Sequence, residues 1–382
     1  MTNLWRSFAK RAFRDYDFNR LVSLRIKDLD ETTMSQKHII CDIDKTYLET
    51  KFETFYQLAR VAFERASSKR IVKGASDVLI ACRWSDAAFK FKQDATLSIR
   101  PHAVHFLSSS PTQLRKVLEE KLLIDGLDWS SDTFKNQTYN ILKGRVDLLK
   151  HHVAYKSAAI LELMNRGPEN SEYILIGDNA EWDAYVYVGI QLLCAQKLSL
   201  DGYARYLETA GVDSITSQSL SASRAQHLST KRVVGVLIRK APKYPFVADP
   251  HLTERLVLFD HYLEAALALL RWRFVHESSF PGLLRAFHNR HGFSITDIAQ
   301  TLESVDFDPS EDATLIQTIA HCKERFKISN VKAHQKLRLP SKFVIPAANL
   351  SEQDILELAK VWVERIRLSK NLRDKKKEGI PQ

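Results

Sequence analysis

The 382-residue sequence is poor in cysteine, and no cysteine stands close to another. The four cysteines occur at positions 41, 82, 194 and 322, without a CxxC pair and without regular spacing. Neither a disulfide framework nor a structural zinc site is indicated by this pattern. The cysteine content therefore favours a protein of a reducing compartment.

The sequence also lacks a long apolar run. A membrane-spanning helix needs roughly 20 apolar residues, whereas the nearest candidates are the short stretches 185–195 and 263–270. The first 18 residues carry charges where a secretory signal needs an uninterrupted apolar segment. These absences predict a soluble, cytoplasmic protein that contacts membranes, if at all, from the periphery.

Positive charge is in excess. Lysine and arginine number 56 and aspartate and glutamate 46, which gives a net charge of +10 and a pI near 9.3. This balance favours anionic partners such as phosphorylated lipids, nucleic acid or small phosphate compounds, without choosing among them. The 45% of apolar residues is typical of a folded chain, and the length favours two domains.

Apolar runs of strand length alternate with helical patterns from residue 38 onward. Strands are predicted at HIICDID, AVHFLS, YILIG and RVVGVLI, with helices near 52–67 and from residue 111. The alternation predicts an α/β fold with a Rossmann-like parallel sheet, in which functional residues lie at the strand ends. The segment 198–230 is rich in Ser, Gln and Ala without a clear apolar period, and we interpret it as an insertion or flexible excursion.

Strand patterns cease after residue 250. Helices are predicted at 253–274, 294–305, 310–326 and 351–371, the last with the spacing of a capping box between Ser351 and Asp354. These patterns predict a C-terminal unit that is entirely helical.

The N-terminal residues have the pattern of a basic amphipathic helix. Trp5, Phe8, Ala12 and Tyr16 recur at helical spacing among arginines and lysines. Such a helix either packs on the rest of the protein or lies in an anionic membrane interface, and both interpretations stay open. We therefore divide the chain into a basic segment over 1–35, an α/β domain over 36–245 and a helical domain over 246–382.

Two aspartates follow the first predicted strand. The motif runs Asp42-Ile43-Asp44-Lys45-Thr46. Residues two apart on a strand point to the same face, so the carboxylates of Asp42 and Asp44 can converge on one pocket and attract a metal ion. A motif this short is explained equally well by a polar turn that ends the strand.

Serines follow the second predicted strand. Ser108 and Ser109 come after an apolar run, and Ser110, Pro111 and Gln113 have the spacing of a helix N-terminus. The free amides of such a terminus bind phosphate. Ser110 is most simply a helix cap, which makes Ser108 the better phosphate ligand.

A lysine and two acids complete the set. Lys156 lies on a predicted amphipathic helix, where a lysine on its own is usually a solvated surface residue. Gly177-Asp178 ends the third predicted strand, and Asp183 follows five residues after Asp178. An acid beside a glycine at a strand end can complete a magnesium site. The pair His151-His152 is interpreted as surface.

The order and placement of these four elements resemble haloacid-dehalogenase-type phosphatases. The details are most similar to the catalytic domain of the phosphatidate phosphatases related to the yeast actin-patch protein, over residues 36–242. The sequence departs from that family at Lys45, where an aspartate is usual, and at Asn179-Ala180-Glu181, where the family has Ser-Gly-Gln. The resemblance implies a haloacid-dehalogenase-type fold, and the short intervals between the motifs leave little room for a large cap domain.

The resemblance also implies a mechanism. Asp42 would be the nucleophile that forms an aspartyl-phosphate, and Asp44 would be the general acid and base. Lys156 would be a third catalytic residue, and it would bind the phosphate together with Ser108 and Ser109.

A magnesium ion is the implied cofactor. Its ligands would be Asp42, the backbone carbonyl of Asp44, and Asp178. Thr46 and Asp183 would support the site, Asp183 by orienting Lys156 or a metal-bound water.

Three functions follow as hypotheses. The first is a phosphatase that acts on phosphatidate or another lipid phosphate, and the second is a nucleotide or nucleic-acid-end phosphatase, which the positive charge also permits. The third is a membrane- or scaffold-binding protein whose phosphatase fold is vestigial. The presence of Asp42, Asp44, Lys156 and Asp178 favours an enzyme.

Overall fold

A computed structural model gives the fold of most of the chain. The predicted helix at 52–67 and residues 1–13, with Trp5, Phe8 and Ala12, lie outside the part it describes. The described residues are 14–18, 21–49, 69–85, 101–136, 152–225, 228–241, 244–245, 251–305, 312–329, 331, 337, 339–340 and 346–377.

Within the described ranges, one mixed sheet of eight strands forms the centre of the fold, in the order β1-β2-β5-β4-β3-β6-β7-β8. The six strands from β5 to β8 in that order run parallel, and β1 and β2 add an antiparallel edge. The predicted α/β class with a mostly parallel sheet is confirmed. The strands are β1 (Arg14–Phe18), β2 (Val22–Ile26), β3 (Lys37–Asp42), β4 (Ala103–Pro111), β5 (Ser131–Lys135), β6 (Glu172–Asp178), β7 (Arg232–Arg239) and β8 (Leu256–Phe259).

Helices cover both faces of this sheet. Ile39 and Cys41 of β3 belong to one buried cluster and Ile40 to the other, because successive side chains of a strand point to opposite faces. The helices are α1 (Leu29–Met34), α2 (Ala75–Arg83), α3 (Arg115–Ile124), α4 (His152–Arg166), α5 (Asp183–Cys194), α6 (Leu200–Thr209), α7 (Ser214–Arg224), α8 (Tyr262–Arg271), α9 (Phe280–Asn289), α10 (Ile295–Glu303), α11 (Ala313–Arg325) and α12 (Glu352–Lys377).

The order of the strands places a crevice at β3. From β3 the chain passes to β4 on one side, and β6 later pairs with the other side of β3. A sheet that reverses its strand order in this way leaves a crevice at the carboxyl ends of the strands. The ends of β3, β4 and β6 border that crevice, and they are the strand ends that carry the predicted site residues.

The C-terminal segment is not entirely helical, which corrects the prediction. Leu256–Phe259 form β8, which pairs with β7 at the edge of the sheet. The strand has only four residues, too few for its pattern to stand out in the sequence. Helices α8 to α11 contribute to the cluster on one face of the sheet and α12 to the cluster on the other, so the segment packs on the α/β layers.

The segment 198–230 is also ordered differently from the prediction. It forms helices α6 and α7, whose first turns are capped by the side chains of Ser199 and Asp213. The side chains of Tyr203 and Tyr206, on the inner face of α6, are buried. These helices have few aliphatic residues at helical spacing, because tyrosines form much of their buried face. The sequence pattern therefore did not predict them.

The predicted N-terminal helix does not extend to Tyr16. Tyr16 lies in β1 and pairs with Leu24 of β2. By contrast, the capping box of the last helix is confirmed, because the Asp354 amide donates to the Ser351 hydroxyl at 3.2 Å and the Ser351 amide donates to the Asp354 carboxylate at 3.1 Å. No helix in the described ranges is both long enough and apolar enough to cross a membrane.

Candidate active site

The predicted site residues come together at the carboxyl edge of the sheet. Asp42 is the last residue of β3, Asp178 is the last residue of β6, and Ser108 lies near the end of β4. Lys156 projects from α4, and Asp183 opens α5. All five side chains are buried, so the crevice has a fixed, polar floor.

Lys156 joins two of the acids. Its Nζ donates to Oδ1 of Asp42 at 2.8 Å and also to Oδ1 of Asp183. Burial alone would lower the pKa of Lys156, but Asp183 and Asp42 raise it well above its ordinary value. Lys156 is therefore a fixed positive charge, and not the solvated surface lysine that an amphipathic helix usually carries.

Asp42 keeps one oxygen uncommitted. Its Oδ2 is buried and has no hydrogen-bond partner in the described part of the chain. Burial raises the pKa of Asp42 well above its ordinary range, Lys156 opposes that shift, and Asp183 and Asp178 add to it. A buried polar atom without a partner is costly, so this oxygen is placed to meet a ligand.

Asp44 lies against the hydroxyls at the end of β4. Its Oδ2 accepts hydrogen bonds from Ser108 at 2.9 Å and from Ser110 at 3.0 Å. Burial and the nearby Glu181 raise the pKa of Asp44 above its ordinary value, although the two hydroxyls oppose the shift. A carboxyl group in this setting can hold a proton more readily than a solvated one.

Ser110 is not a helix cap, contrary to the prediction. Strand β4 continues through Pro111, with a break in register between Ser108 and Pro111. The irregularity turns the Ser110 hydroxyl toward Asp44 and lets its amide donate to the Ser108 hydroxyl at 3.1 Å. Pro111 precedes a short 3-10 turn over Thr112–Leu114, and α3 begins only at Arg115.

Asp178 is held by the turn that follows it. Its Oδ1 accepts from the Ala180 amide at 2.5 Å, and its Oδ2 accepts from the Thr46 hydroxyl at 3.4 Å. Burial raises the pKa of Asp178 to about 7, and the neighbouring Asp183 and Glu181 contribute to the shift. Thr46, which the sequence assigned a supporting role, thus contacts the acid that ends β6.

Three carboxylates are close enough to hold a metal ion. One oxygen from each of Asp42, Asp178 and Asp183 lies within 4.8 Å of the others. Carboxylate oxygens are the donors that hard divalent cations prefer, and a cation there would relieve the repulsion among these buried acids. Asp183 joins the group although the sequence assigned it only a supporting role.

Two residues that the sequence did not assign complete the cluster. The Ser109 hydroxyl donates to Oε2 of Glu181 at 3.4 Å, and Nδ1 of His152 lies 3.4 Å from the same oxygen. His152 is therefore part of the site and not simply surface. His152 lies four residues before Lys156, so both side chains are on one face of α4. This spacing is the sequence pattern from which His152 could have been predicted as a site residue.

Tyrosine and lysine side chains tie the site to its neighbouring strand. The Tyr155 hydroxyl lies 2.7 Å from the Ser108 carbonyl and 3.0 Å from the Thr133 carbonyl, which links α4 to β4 and β5. Lys135 ends β5 at the same edge. Burial lowers the pKa of Lys135 to about 8; Glu181 opposes this shift, and the charge of Lys156 adds to it. Lys135 adds a second positive charge near the site.

The turn after Asp44 is fixed from β7 and α8. Lys45 adopts the left-handed conformation, with φ of 60°, and its carbonyl accepts from Arg239 at 2.5 Å. The Thr46 carbonyl accepts from the Tyr262 hydroxyl at 3.1 Å. Left-handed backbone is costly for a residue with a Cβ, so these two bonds hold the turn in the shape that the site requires.

Comparison with known protein families gives a match over part of the chain. Residues 37–197 match the family described as phosphatidate phosphatase APP1, catalytic domain, which confirms the resemblance that the motifs indicated. The matched segment runs from β3 to just beyond α5, contains all the predicted site residues, and covers less than half of the chain. It identifies a phosphatase domain, a hydrolase of phosphoric monoesters. Neither a curated protein nor a solved structure gives a significant match.

Proposed function

We propose that this chain, whose residues 37–197 match a phosphatidate phosphatase catalytic domain, hydrolyses phosphomonoesters through an aspartyl-phosphate on Asp42, with Mg²⁺ as cofactor. Phosphatidate or another lipid phosphate is the leading substrate. The observation that carries the proposal is the buried, unpartnered Oδ2 of Asp42 beside a lysine that binds the other oxygen. An attacking oxygen needs this combination of fixed position and absent competing contacts.

In the first step the Asp42 carboxylate attacks phosphorus, and the bond from phosphorus to the leaving alkoxide breaks. Asp44 gives its proton to that alkoxide, a role supported by its raised pKa. Lys156 and the hydroxyls of Ser108 and Ser109 hold the phosphoryl oxygens, since charge spreads over these oxygens in the transition state.

In the second step water replaces the alkoxide. Asp44, now ionised, takes a proton from the water as its oxygen attacks phosphorus, and the bond from phosphorus to Asp42 breaks. Inorganic phosphate leaves, and both aspartates return to their starting states. The Ser110 hydroxyl, which donates to Asp44, holds this carboxyl group in both steps. The Ser108 hydroxyl, which donates to Asp44 in the substrate-free protein, turns its one hydrogen to the phosphoryl group.

The donors present fit a magnesium ion. Asp42, Asp178 and the Asp44 carbonyl would hold it, with Asp183 close enough to be a further ligand or to hold Lys156. When bound, Mg²⁺ offsets the repulsion between the anionic nucleophile and the anionic phosphate. The crowding of three buried acids, Asp42, Asp178 and Asp183, supports a cation at this place.

The sheet supports a haloacid-dehalogenase-type fold as part of the same proposal. The nucleophile ends the central strand β3, and the flanking order β5-β4-β3-β6-β7 brings the strand ends with serine and aspartate to either side of it. We further propose that the protein is cytoplasmic and meets its lipid as a peripheral membrane protein, which the net charge of +10 favours.

A substrate panel tests the proposal. Purified protein is assayed for phosphate release from phosphatidate, phosphoinositides, nucleotides, phosphosugars and phosphorylated DNA ends, with Mg²⁺ or with EDTA. We expect magnesium-dependent release from lipid phosphates, lost in Asp42→Asn and kept in Asp201→Asn, a change at an exposed position of α6. Turnover of nucleotides or DNA ends alone would favour the nucleic-acid alternative, and no turnover of any substrate would favour a vestigial fold.

A further inference from the structure

We infer that the Glu181 carboxylate occupies the place of the substrate phosphate in the substrate-free protein, and that it has to leave this place before a phosphomonoester binds. The inference rests on the proposed function, because it assigns an additional role at the same site. Glu181 thereby becomes a residue that determines which anions the site accepts.

One oxygen of Glu181 collects the donors of an anion site. Its Oε2 lies 3.4 Å from the Ser109 hydroxyl, 3.4 Å from Nδ1 of His152 and 3.5 Å from Nζ of Lys156. The contacts come from β4 and α4, two elements that are far apart in the chain. Donors that converge on one oxygen from separate elements form a preorganised anion site.

Two of these donors are proposed phosphate ligands. Ser109 and Lys156 cannot give the same hydrogens to Glu181 and to a phosphoryl oxygen. The Glu181 carboxylate lies 3.5 Å from the buried Nζ of Lys156, and an adjacent cation favours the ionised form of an acid. An anionic carboxylate and a phosphate repel each other strongly at contact distance in a partly buried site, and only one of them can be in place at a time.

Glu181 is more exposed than the three candidate metal ligands. Asp42, Asp178 and Asp183 are almost fully buried in or beside strands and helices, whereas Glu181 lies in the turn between β6 and α5 with 22% of its side chain exposed. The turn borders a pocket. Residues that line this pocket include Asn179, Glu181, Tyr244, Trp362 and Lys370.

The pocket offers a second position for the charge. Lys370 of α12 lines it, and Nζ of Lys45 lies 5.1 Å from the ring centre of Tyr244, which also lines the pocket. A carboxylate displaced from Ser109 and Lys156 therefore stays near positive charge. The displacement costs less than exposure of the carboxylate to an uncharged surface would.

A displaceable carboxylate has a consequence for turnover. Inorganic phosphate, the product, makes no contact through a leaving group, so it competes with Glu181 through its phosphate oxygens alone. A substrate gains additional contacts from the rest of the molecule. Glu181 should thus weaken the binding of the product and speed its release.

Calorimetric titration of inorganic phosphate in the presence of Mg²⁺ tests the inference without requiring turnover. The proteins are the wild type, Glu181→Gln, Glu181→Ala and the matched control Glu162→Gln, which changes an acid of α4 paired with Arg166. We expect both Glu181 variants to bind phosphate about tenfold more tightly, since a competing charge-assisted contact is removed. Glu162→Gln should bind as the wild type does, and thermal melts confirm that each variant is folded.

Phosphate affinity that is unchanged or weaker in both Glu181 variants would overturn the inference, because it would make Glu181 a fixed support of Lys156 and His152. Tighter binding confined to the variants at 181 supports it. The substrate panel gives an independent result. If no substrate is turned over but the Glu181 variants bind phosphate more tightly, the proposed reaction is wrong and the inference about Glu181 still holds.

Discussion

Replacement of Lys156 by methionine is expected to lower the free energy of unfolding of the metal-free protein by about 3–5 kcal/mol, the cost of removing one partner from a buried ion pair. Nζ of Lys156 contacts both Asp42 and Asp183, and all three side chains are buried. Methionine keeps much of the length of the side chain but carries no charge. The variant therefore leaves two carboxylates in the crevice without their cation.

The loss of stability should depend on pH. Burial already raises the pKa values of Asp42 and Asp183, and without Lys156 these values rise further. A group whose pKa is higher in the folded than in the unfolded state contributes stability below its unfolded pKa, and this contribution is lost as pH rises through the folded pKa. Lys156→Met should accordingly lose less stability at pH 5 than at pH 8.

Urea denaturation in EDTA, followed by circular dichroism at pH 5 and pH 8, measures both effects. Lys116→Met changes an exposed lysine of α3 and should stay within about 0.5 kcal/mol of the wild type. If Lys156→Met is as stable as Lys116→Met at pH 8, Lys156 does not neutralise buried acids. A loss that is greater at pH 5 would contradict the assignment of the raised carboxyl pKa values.

Two further predictions follow from the same geometry. Because the pKa of Asp178 is raised to about 7 and a metal ion binds the ionised carboxylate, the Mg²⁺ affinity measured by calorimetry should rise from pH 5 to pH 8; affinity independent of pH would exclude Asp178 as a ligand. Tyr155→Phe removes the hydroxyl that links the Ser108 and Thr133 carbonyls and should lower the free energy of unfolding by about 1–3 kcal/mol, with an unchanged urea m-value. Stability equal to that of the wild type would mean that this link is not formed in solution.

The parallel sheet and much of the site could be predicted from the sequence because the signals are local. Strands β3 and β6 are apolar runs that end in Asp42 and Asp178, and the alternation of such runs with helical patterns fixes the class of fold. Parallel strands bring their carboxyl ends to one edge, so a polar residue at each end is enough to predict that these side chains meet. Lys156 could be added only through the order of motifs.

Strand β5 could not be predicted because its polar side chains find partners elsewhere in the chain. The sequence Ser131–Lys135 is mostly polar, yet it lies buried in the sheet. Ser131 and His105 form a hydrogen bond at 2.7 Å, and Asp132 pairs with Arg115 at 2.9 Å. Polar groups are buried without a large energetic cost only when they have such partners. The five residues of β5 do not by themselves indicate which partners they will find.

The cluster around Glu181 could not be predicted for a related reason. Glu181 lies in the turn after β6, His152 begins α4, and Ser109 lies near the end of β4, so their meeting depends on the packing of three elements. Glu181 appeared in the sequence only as a departure from a family pattern. Its contacts with Ser109 and Lys156 are what give that departure a physical meaning.

Chemical trapping of the phosphorylated residue tests the central claim most directly. The protein is mixed with phosphatidate and Mg²⁺, quenched during turnover and treated with borohydride, which reduces an acyl phosphate to an alcohol, and the peptides are then read by mass spectrometry. We predict homoserine at position 42, dependent on substrate and on Mg²⁺. Phosphate release under the same conditions, with residue 42 unmodified or with the reduced residue at another position, would show that Asp42 is not the nucleophile.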